Sequence, residues 1–495
     1  MTEGVAGGPQ GSSKETGGRL ASNFTYLIAA QIVAKASSLG ILVLLAHYME
    51  QDAFGRYAVA VAIPMAIEAA GDLGISQAMV RSSAGQPEQL RQAFSAALPL
   101  KFGLAIAMVA LSTAIALVLG LTREVVEVAI YLAMAKALES LTYFARSVFQ
   151  ASERMEFEAA SLILDSASRI LFVVYALASG FGLVGLAKAL VLSAAVVLAA
   201  TLFIAVKRFI GPVRLAPFPQ AAPLIRAGIP LAFVWFLDVV PMRADVILIE
   251  HIGGDRAAAL FSVAVRLVEP FSILPYTISV AMLPLAARHV LRAMPTLPSL
   301  FQATLKVSLA LAAAGALVLA GTASVVVTTV FGPSFAEATV TTVILAVALV
   351  PLFADGLIAT FVTAFYQQRR LVLAQGAGLA VNLVVAFASM PVWGIAGVAA
   401  AVLVGELTTV MTALFIVPQV RDLASPRTLR VFAAAVPAAL VLGSGELIGP
   451  FGAATFALAF FVALLVALQV FDEAERRYLQ ASLRSLVLLL KPRSA

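Results

Sequence analysis

Residues 183–206 read LVGLAKALVLSAAVVLAATLFIAV, an apolar run whose one charged side chain is Lys188. Because an α-helix rises about 1.5 Å per residue, this run is long enough to cross the roughly 30 Å hydrocarbon core of a bilayer. Similar runs recur along the whole chain, in which 61% of the residues are hydrophobic, 12% are charged and the mean hydropathy is +1.00. A soluble domain carries about twice that share of charge. The sequence therefore predicts an all-α polytopic membrane protein.

Polar breaks divide the chain into about 14 predicted spans. They lie near residues 22–46, 53–80, 93–120, 124–150, 156–180, 183–206, 222–250, 257–287, 300–330, 336–366, 370–390, 394–417, 428–447 and 451–471. We expect two six-helix bundles, 22–207 and 222–417, joined by a cytoplasmic linker, 208–221, and followed by two extra helices in 428–471. The Gly/Ser-rich residues 1–21 predict a disordered cytoplasmic tail. Leucines at helical spacing opposite basic residues predict an amphipathic helix over 473–491, lying on the inner leaflet.

A weak internal repeat relates the two predicted bundles at an offset of 204 residues. It pairs His47, Tyr57, Val59 and Ala60 with His251, Phe261, Val263 and Ala264. Six predicted spans separate the two copies, and an even number gives both halves the same orientation. The repeat therefore predicts a pseudo-two-fold axis along the membrane normal.

Lysine and arginine are distributed asymmetrically between the two sides of the predicted membrane topology. One side, with both tails and alternate loops, holds 24 of the 33 basic residues, including Lys101, Arg146 and Lys306, whereas the other holds Arg56, Arg123 and Arg256. Because cytoplasmic loops are the basic ones, both termini should face the cytoplasm. The formal charge of +6 thus reflects membrane orientation and not a nucleic-acid partner.

Several chemistries are excluded by composition. The chain has no cysteine, and its three histidines are too scattered for a metal cluster, so we expect neither thiolate catalysis nor a bound metal. No G-x-x-x-x-G-K-[S/T] motif is present, which excludes a P-loop ATPase within this chain. We therefore expect no cofactor, and energy from an H⁺ or Na⁺ gradient, the membrane potential or the substrate's own gradient.

Charged residues inside predicted spans are costly and need a partner or a wet cavity. Three pairs at helical spacing can neutralise themselves locally: Lys136 with Glu139, Asp165 with Arg169, and Arg266 with Glu269. Lys35 has no acidic residue in its own span, and Arg243 has Asp245 two positions on, where it points to a different face. Two interpretations stay open for Lys35 and Arg243: they face a ligand, or they form interhelical ion pairs with Glu68, Asp72 or Asp238.

Residues 51–81, QDAFGRYAVAVAIPMAIEAAGDLGISQAMVR, resemble the first loop and second helix of the oligosaccharide/polysaccharide flippases (Wzx-type). The likeness continues in Arg243-x-Asp245, Arg266-Leu267 and Met282-Leu283-Pro284, and in the turns FGPSF at 331–335 and WGIAG at 393–397. The resemblance implies the fold of the multidrug/oligosaccharidyl-lipid/polysaccharide exporter superfamily, with two six-helix bundles around a central cavity and alternating access.

The resemblance also implies a function in the bacterial inner membrane. The expected cargo is an undecaprenyl-pyrophosphate-linked oligosaccharide, flipped from the cytoplasmic to the outer leaflet, with membrane lipid and polysaccharide assembly proteins as expected partners. The substrate-binding cations would be Lys35, Arg243 and Arg266, with Arg81 at the inner mouth. The candidate coupling or ion-pair acids are Glu68, Asp72, Asp238, Asp245 and Glu269.

Two other functions remain open. A drug or cation antiporter of the same superfamily would favour acidic residues in the cavity, whereas six basic residues lie in the predicted spans. A polytopic glycan polymerase, ligase or glycosyltransferase would need a sizeable polar loop, and residues 207–221 form a short linker without an acidic residue. We therefore expect a membrane transporter and not an enzyme.

Overall fold

The computed structural model describes residues 11–83, 86–212, 221–292, 294–423, 425–472 and 475. Over these residues the chain is helical, and ten helical segments are long and apolar enough to cross a membrane. The α-helices are α1 (Gly11–Tyr48), α2 (Gln51–Asp72), α3 (Ile75–Ser83), α4 (Pro87–Val118), α5 (Arg123–Ala151), α6 (Met155–Ala178), α7 (Gly182–Ala205), α8 (Ala222–Val268), α9 (Ile273–Leu291), α10 (Leu297–Val330), α11 (Ala338–Ala364), α12 (Gln368–Ile416), α13 (Pro418–Arg421), α14 (Leu429–Leu440), α15 (Gly445–Ile448) and α16 (Pro450–Ala467). The predicted all-α polytopic membrane fold is confirmed.

Single glycines join two pairs of predicted spans into continuous helical elements. Gly254 in α8 has φ 78° and ψ −179°, and Gly394 in α12 has φ 58° and ψ −145°. Residues with a Cβ atom strongly disfavour these backbone conformations. Glycine therefore allows the chain to bend sharply here without a polar loop. The predicted breaks at 250–257 and 390–394 are thus one-residue joints.

The predicted span 53–80 is wrong as a single helix. Helix α2 ends at Asp72 and α3 begins at Ile75, because Leu73 and Gly74 adopt φ of 48° and 67°. The backbone N–H of Ser76 donates to Asp72 Oδ2 at 3.3 Å, so Asp72 caps the start of α3. Leu73 and Gly74 thus form a corner between α2 and α3 within the second predicted span.

Residues Met1–Ala244 form the first of two compact units, which we call unit 1. Helix α5 is central in it and packs against α2, α4 and α7. At one end of α5, Phe94 and Phe144 stack with ring centroids 4.8 Å apart in a fully buried apolar cluster. The division between the units falls inside α8.

Residues Asp245–Ala495 form the second unit, unit 2. Here α11 is central and packs against α9, α10 and α12, while the C-terminal α14 and α16 pack against α10. Helices α5 and α11 are each the fourth predicted span of their half. The same packing order therefore recurs within both units, while the predicted division into bundles 22–207 and 222–417 stays a prediction.

The chain ends differ from the expectations where the structure describes them. Helix α1 begins at Gly11, so residues 11–21 are helical and not a disordered tail. Adding turns to an existing helix costs little, since only nucleation is unfavourable. Residues 1–10, most of the predicted linker 208–221 and almost all of the predicted interfacial helix 473–491 lie outside the described residues.

Three of the basic residues that the charge count assigns to the cytoplasmic side have buried side chains, and their side of the membrane stays a prediction. Lys101 and Arg146 lie inside unit 1, and Lys306 of α10 bonds both carboxylate oxygens of Glu475 at 2.7 and 2.8 Å. Glu475 and Asp472 also exchange backbone-to-carboxylate bonds of 2.8 and 2.9 Å, which is a capping-box arrangement. Hydropathy locates a span, but it cannot distinguish a lysine in a loop from a lysine near the end of a span that is buried in an ion pair.

Candidate functional site

Polar side chains form one stripe along α5. The stripe contains Lys136, Glu139, Ser140, Tyr143 and Arg146, which recur every three or four residues and so share one helix face. Four of them line a cavity of about 480 Å³ inside unit 1. The cavity is also lined by Glu68 and Asp72 of α2, Gln77 of α3 and Asp165 of α6. A cavity of this size is in the range of small-molecule sites.

The charges around this cavity form one connected network. Lys136 lies 2.9 Å from Glu139 and 3.6 Å from Glu68, and Arg169 lies 3.1 Å from both Glu139 and Asp165. Arg146 completes the network with a 3.5 Å contact to Asp165. The spacing-based pairs Lys136–Glu139 and Asp165–Arg169 are thus confirmed, and tertiary packing links them. Three cations and three carboxylates cancel, which limits the cost of burying them.

Lys101 of α4 is fully buried and all three of its ammonium donors are used. It donates to Gly71 O at 3.0 Å, Asp72 Oδ1 at 2.7 Å and Ser140 Oγ at 2.9 Å. The same Asp72 oxygen accepts a hydrogen bond from Ser76 Oγ at 2.5 Å. Lys101 therefore binds one carbonyl oxygen from the last turn of α2 and the Asp72 carboxylate that caps α3. Sequence reasoning missed this role, although Lys101 falls inside the predicted span 93–120.

The corner between α2 and α3 also touches the first half of α8. A methyl group built on Gly228 would lie 2.3 Å from Leu73 O, and one built on Gly74 would lie 2.3 Å from Gly228 O. Both distances are far below van der Waals contact. Two bare backbones thus meet here, and glycine is required on each.

Unit 2 contains a buried carboxylate of a different kind. Asp245 of α8 is 1% exposed and accepts hydrogen bonds from Asn382 Nδ2 at 3.1 and 3.4 Å. Among the described residues no lysine or arginine lies within ion-pair distance of Asp245. The Asn382 Oδ1 atom is also buried without a hydrogen-bond partner within the described part of the chain. Sequence reasoning missed Asn382, since an uncharged amide within a span does not require a charged partner or a wet cavity.

Close packing within α12 places Asn382 where it can reach α8. A methyl group on Gly378 would lie 1.9 Å from Thr409 Oγ1, and one on Gly405 would lie 2.8 Å from Asn382 Cβ. The two halves of α12, which double back at Gly394, therefore approach at their glycines. This small-residue contact resembles the way that glycine lets membrane helices pack backbone to backbone.

The four predicted substrate cations lie in different surroundings. Lys35 on α1 and Arg81 on α3 are exposed, and Arg243 on α8 is half-buried. Arg266 donates to Glu269 Oε2 at 2.8 Å, so the local pair that the spacing predicts is confirmed. The substrate-binding role of all four stays a prediction.

The predicted acids are distributed over both units. Glu68 lies 3.6 Å from Lys136 and Asp72 lies 2.7 Å from Lys101, so each of these acids has a cation of unit 1 as a partner. Asp245 is bonded to Asn382, and the Asp238 side chain lies outside the described residues. Whether Lys35 and Arg243 face a ligand or pair with an acid stays a prediction.

Among the solved structures that share the fold, three are each covered by this chain over at least 95% of their length. One, described as the lipid II flippase MurJ in an inward closed conformation, has 13% identity and a TM-score of 0.68, with 90% of this chain and 97% of that chain covered. A multidrug resistance MATE family transporter of the MOP superfamily, inward-facing, has 16% identity and a TM-score of 0.67, covering 79% and 95%. A MOP superfamily transporter from Pyrococcus furiosus has 16% identity and a TM-score of 0.57, covering 82% and 95%. At these identities the likeness concerns the fold.

A family comparison adds evidence from sequence. No curated protein matches the chain. The family model described as "Polysaccharide biosynthesis protein" matches residues 20–290, which is more than half of the chain and includes all of α2 to α8. This polytopic membrane protein therefore belongs to the polysaccharide biosynthesis protein family.

Proposed function

We propose that this protein flips a polyprenyl-pyrophosphate-linked oligosaccharide from the cytoplasmic to the outer leaflet by alternating access. The observation that carries the proposal is the match of the polysaccharide biosynthesis family model over residues 20–290. A fold shared along 90% of the chain with a protein described as a lipid II flippase supports the transport mode. The direction rests on the predicted topology, with both termini in the cytoplasm.

Lys35, Arg243, Arg266 and Arg81 are the residues that we assign to the pyrophosphate. Cations within a membrane protein require an anion or water, and Lys35 is exposed on a helix that the sequence places across the bilayer. Arginine suits a phosphate because its planar guanidinium can donate two parallel hydrogen bonds. Arg266 uses Nη1 for Glu269, and within the described part of the chain its other N–H groups are open to a ligand.

Asp245 and Asn382 are the groups that we assign to the coupling ion. A buried carboxylate beside a neutral amide is stable only if a proton or a cation neutralises it. Asn382 Oδ1 and the Asp245 carboxylate offer oxygen ligands, which hard cations prefer. Binding of H⁺ or Na⁺ here would give one conformation of unit 2 an extra stability that depends on the ion gradient.

The proposed function is tested by transport in proteoliposomes. A short-chain polyprenyl pyrophosphate carrying a fluorescent sugar is placed in both leaflets, and a membrane-impermeant quencher reports how fast inner-leaflet lipid becomes accessible. We expect the protein to accelerate translocation over empty liposomes. Exchange of a fluorescent organic cation without lipid translocation would instead favour the antiporter.

Arg243→Ala should slow translocation by about tenfold to hundredfold, which is the worth of a hydrogen bond to a charged group. Arg243→Lys should retain part of the rate, because it keeps the charge and loses the paired donors. Initial rates are compared at equal membrane expression, with Arg256→Ala as the control, since Arg256 is exposed and pairs with Glu337 at 2.8 Å. Recovery of transport in Arg243→Ala/Asp238→Asn would show that Arg243 only neutralises an acid.

Asp245→Asn should abolish the response of translocation to the coupling ion without unfolding the protein. Asparagine keeps the shape of the side chain and removes the charge that the ion neutralises, so stability should stay equal or rise. Flipping rates are measured with and without imposed H⁺ and Na⁺ gradients, and Asp422→Asn, at an exposed turn, serves as the control. A variant that still responds more than twofold to the gradient used by the wild type would exclude Asp245 from coupling.

A further inference from the structure

The charged side chains that line the cavity of unit 1 are mostly carboxylates: four acids line it and one cation, Arg146. The side chains of Glu68, Glu139 and Asp165 are 28%, 24% and 21% exposed and line the cavity. Of the three network cations, Arg146 lines the cavity at 11% exposure, whereas Lys136 and Arg169 are not among the lining residues. The cavity lining therefore presents more carboxylates than cations, while Lys136 and Arg169 neutralise these acids without lining the cavity.

The charge balance decides which ligand class fits. The six network charges sum to zero, and each carboxylate lies 2.9–3.6 Å from a Lys or Arg nitrogen. An anionic ligand would be repelled by the carboxylates of the lining. A cationic ligand would have to displace the ammonium or guanidinium groups that already pair with these carboxylates. A neutral molecule that donates hydrogen bonds meets neither penalty.

The remaining polar groups match a polyhydroxyl ligand. Gln77 Nε2 donates to Tyr143 Oη at 2.5 Å, and both side chains line the cavity beside Glu68. Hydroxyl groups donate strong, short hydrogen bonds to carboxylates, and a fixed carboxylate loses little entropy when it accepts them. The tyrosine and glutamine add a neutral donor and acceptor to the same wall.

We propose that this cavity binds the glycan of the lipid-linked substrate, a proposal that rests on the flippase function. The pyrophosphate then lies on the cations named above, and the cavity in unit 1 supplies glycan recognition. The four cations thus bind the pyrophosphate of the substrate, and the cavity of unit 1 binds its glycan.

Glu68→Gln and Tyr143→Phe test this assignment with little risk to folding. Glu68 makes the longest ion pair of the network, at 3.6 Å, and Lys136 keeps Glu139 at 2.9 Å when the Glu68 charge is removed. The control is Glu124→Gln, because Glu124 is 48% exposed and pairs with Arg56 outside the cavity. Two probes are compared: a polyprenyl pyrophosphate with a disaccharide, and the same polyprenyl pyrophosphate without sugar.

We expect both cavity variants to slow the disaccharide-linked probe by about tenfold at subsaturating concentration, and to change the sugar-free probe by less than twofold. Equal slowing of both probes, or of neither, would overturn the proposal. Binding of both probes to the detergent-solubilised protein is measured in parallel. If the wild type flips neither probe but binds the glycan in a Glu68-dependent way, only the flippase function fails; if binding is independent of the glycan, the cavity assignment fails.

Discussion

Replacing Lys101 with methionine should lower the free energy of unfolding by about 3–5 kcal/mol, the range for one partner removed from a buried pair. The loss is large because Asp72 is buried and its Oδ1 atom lies 2.7 Å from Lys101 Nζ. Methionine fills the volume of the lysine stem but leaves the carboxylate charge without its cation. Denaturant titration in detergent micelles measures the difference.

A double substitution separates charge from packing. In Lys101→Met/Asp72→Asn the amide oxygen can still accept from Ser76, and Ser140 Oγ can still donate to Gly71 O, at 3.2 Å in the parent structure. We therefore expect most of the lost stability to return. Lys188→Met is the control, because Lys188 is exposed and lies over the Tyr131 ring. A single variant as stable as the wild type would contradict the assigned role of Lys101.

Gly228→Ala should destabilise the protein, although alanine favours a helix over glycine by about 1 kcal/mol. The new methyl group would lie 2.3 Å from Leu73 O and 2.8 Å from Gly74 C. Neither atom can rotate away, so α8 and the α2–α3 corner must separate, at a cost of about 1–3 kcal/mol. We expect slower translocation as well, because the conformation in which Gly228 contacts Leu73 and Gly74 becomes less stable.

The matched control for this prediction is Gly103→Ala. Gly103 lies within α4, and a methyl group built on it would meet nothing within 4 Å. The two substitutions are chemically identical, and the expected changes in stability have opposite signs. A stabilising effect at both positions would show that Gly74 and Gly228 do not make close contact in the folded protein.

The buried charges divide into those that a sequence can pair and those that it cannot. Lys136–Glu139, Asp165–Arg169 and Arg266–Glu269 follow from helical spacing, because residues three or four apart always share a helix face. Lys101–Asp72 and Lys306–Glu475 join residues 29 and 169 positions apart. Many separated acids satisfy the same charge rule, and only packing selects one of them.

By itself the sequence determined the membrane class, the order and approximate number of spans, and the family resemblance. Hydropathy and helical spacing depend only on residues that are close together along the chain. Tertiary structure decided the rest. It broke the second span at Leu73 and Gly74, committed Glu68 and Asp72 to Lys136 and Lys101, and brought Asn382 to Asp245. Each of these depends on which helix faces lie together in the folded chain, and a low-dielectric interior makes those long-range pairings decisive for every buried charge.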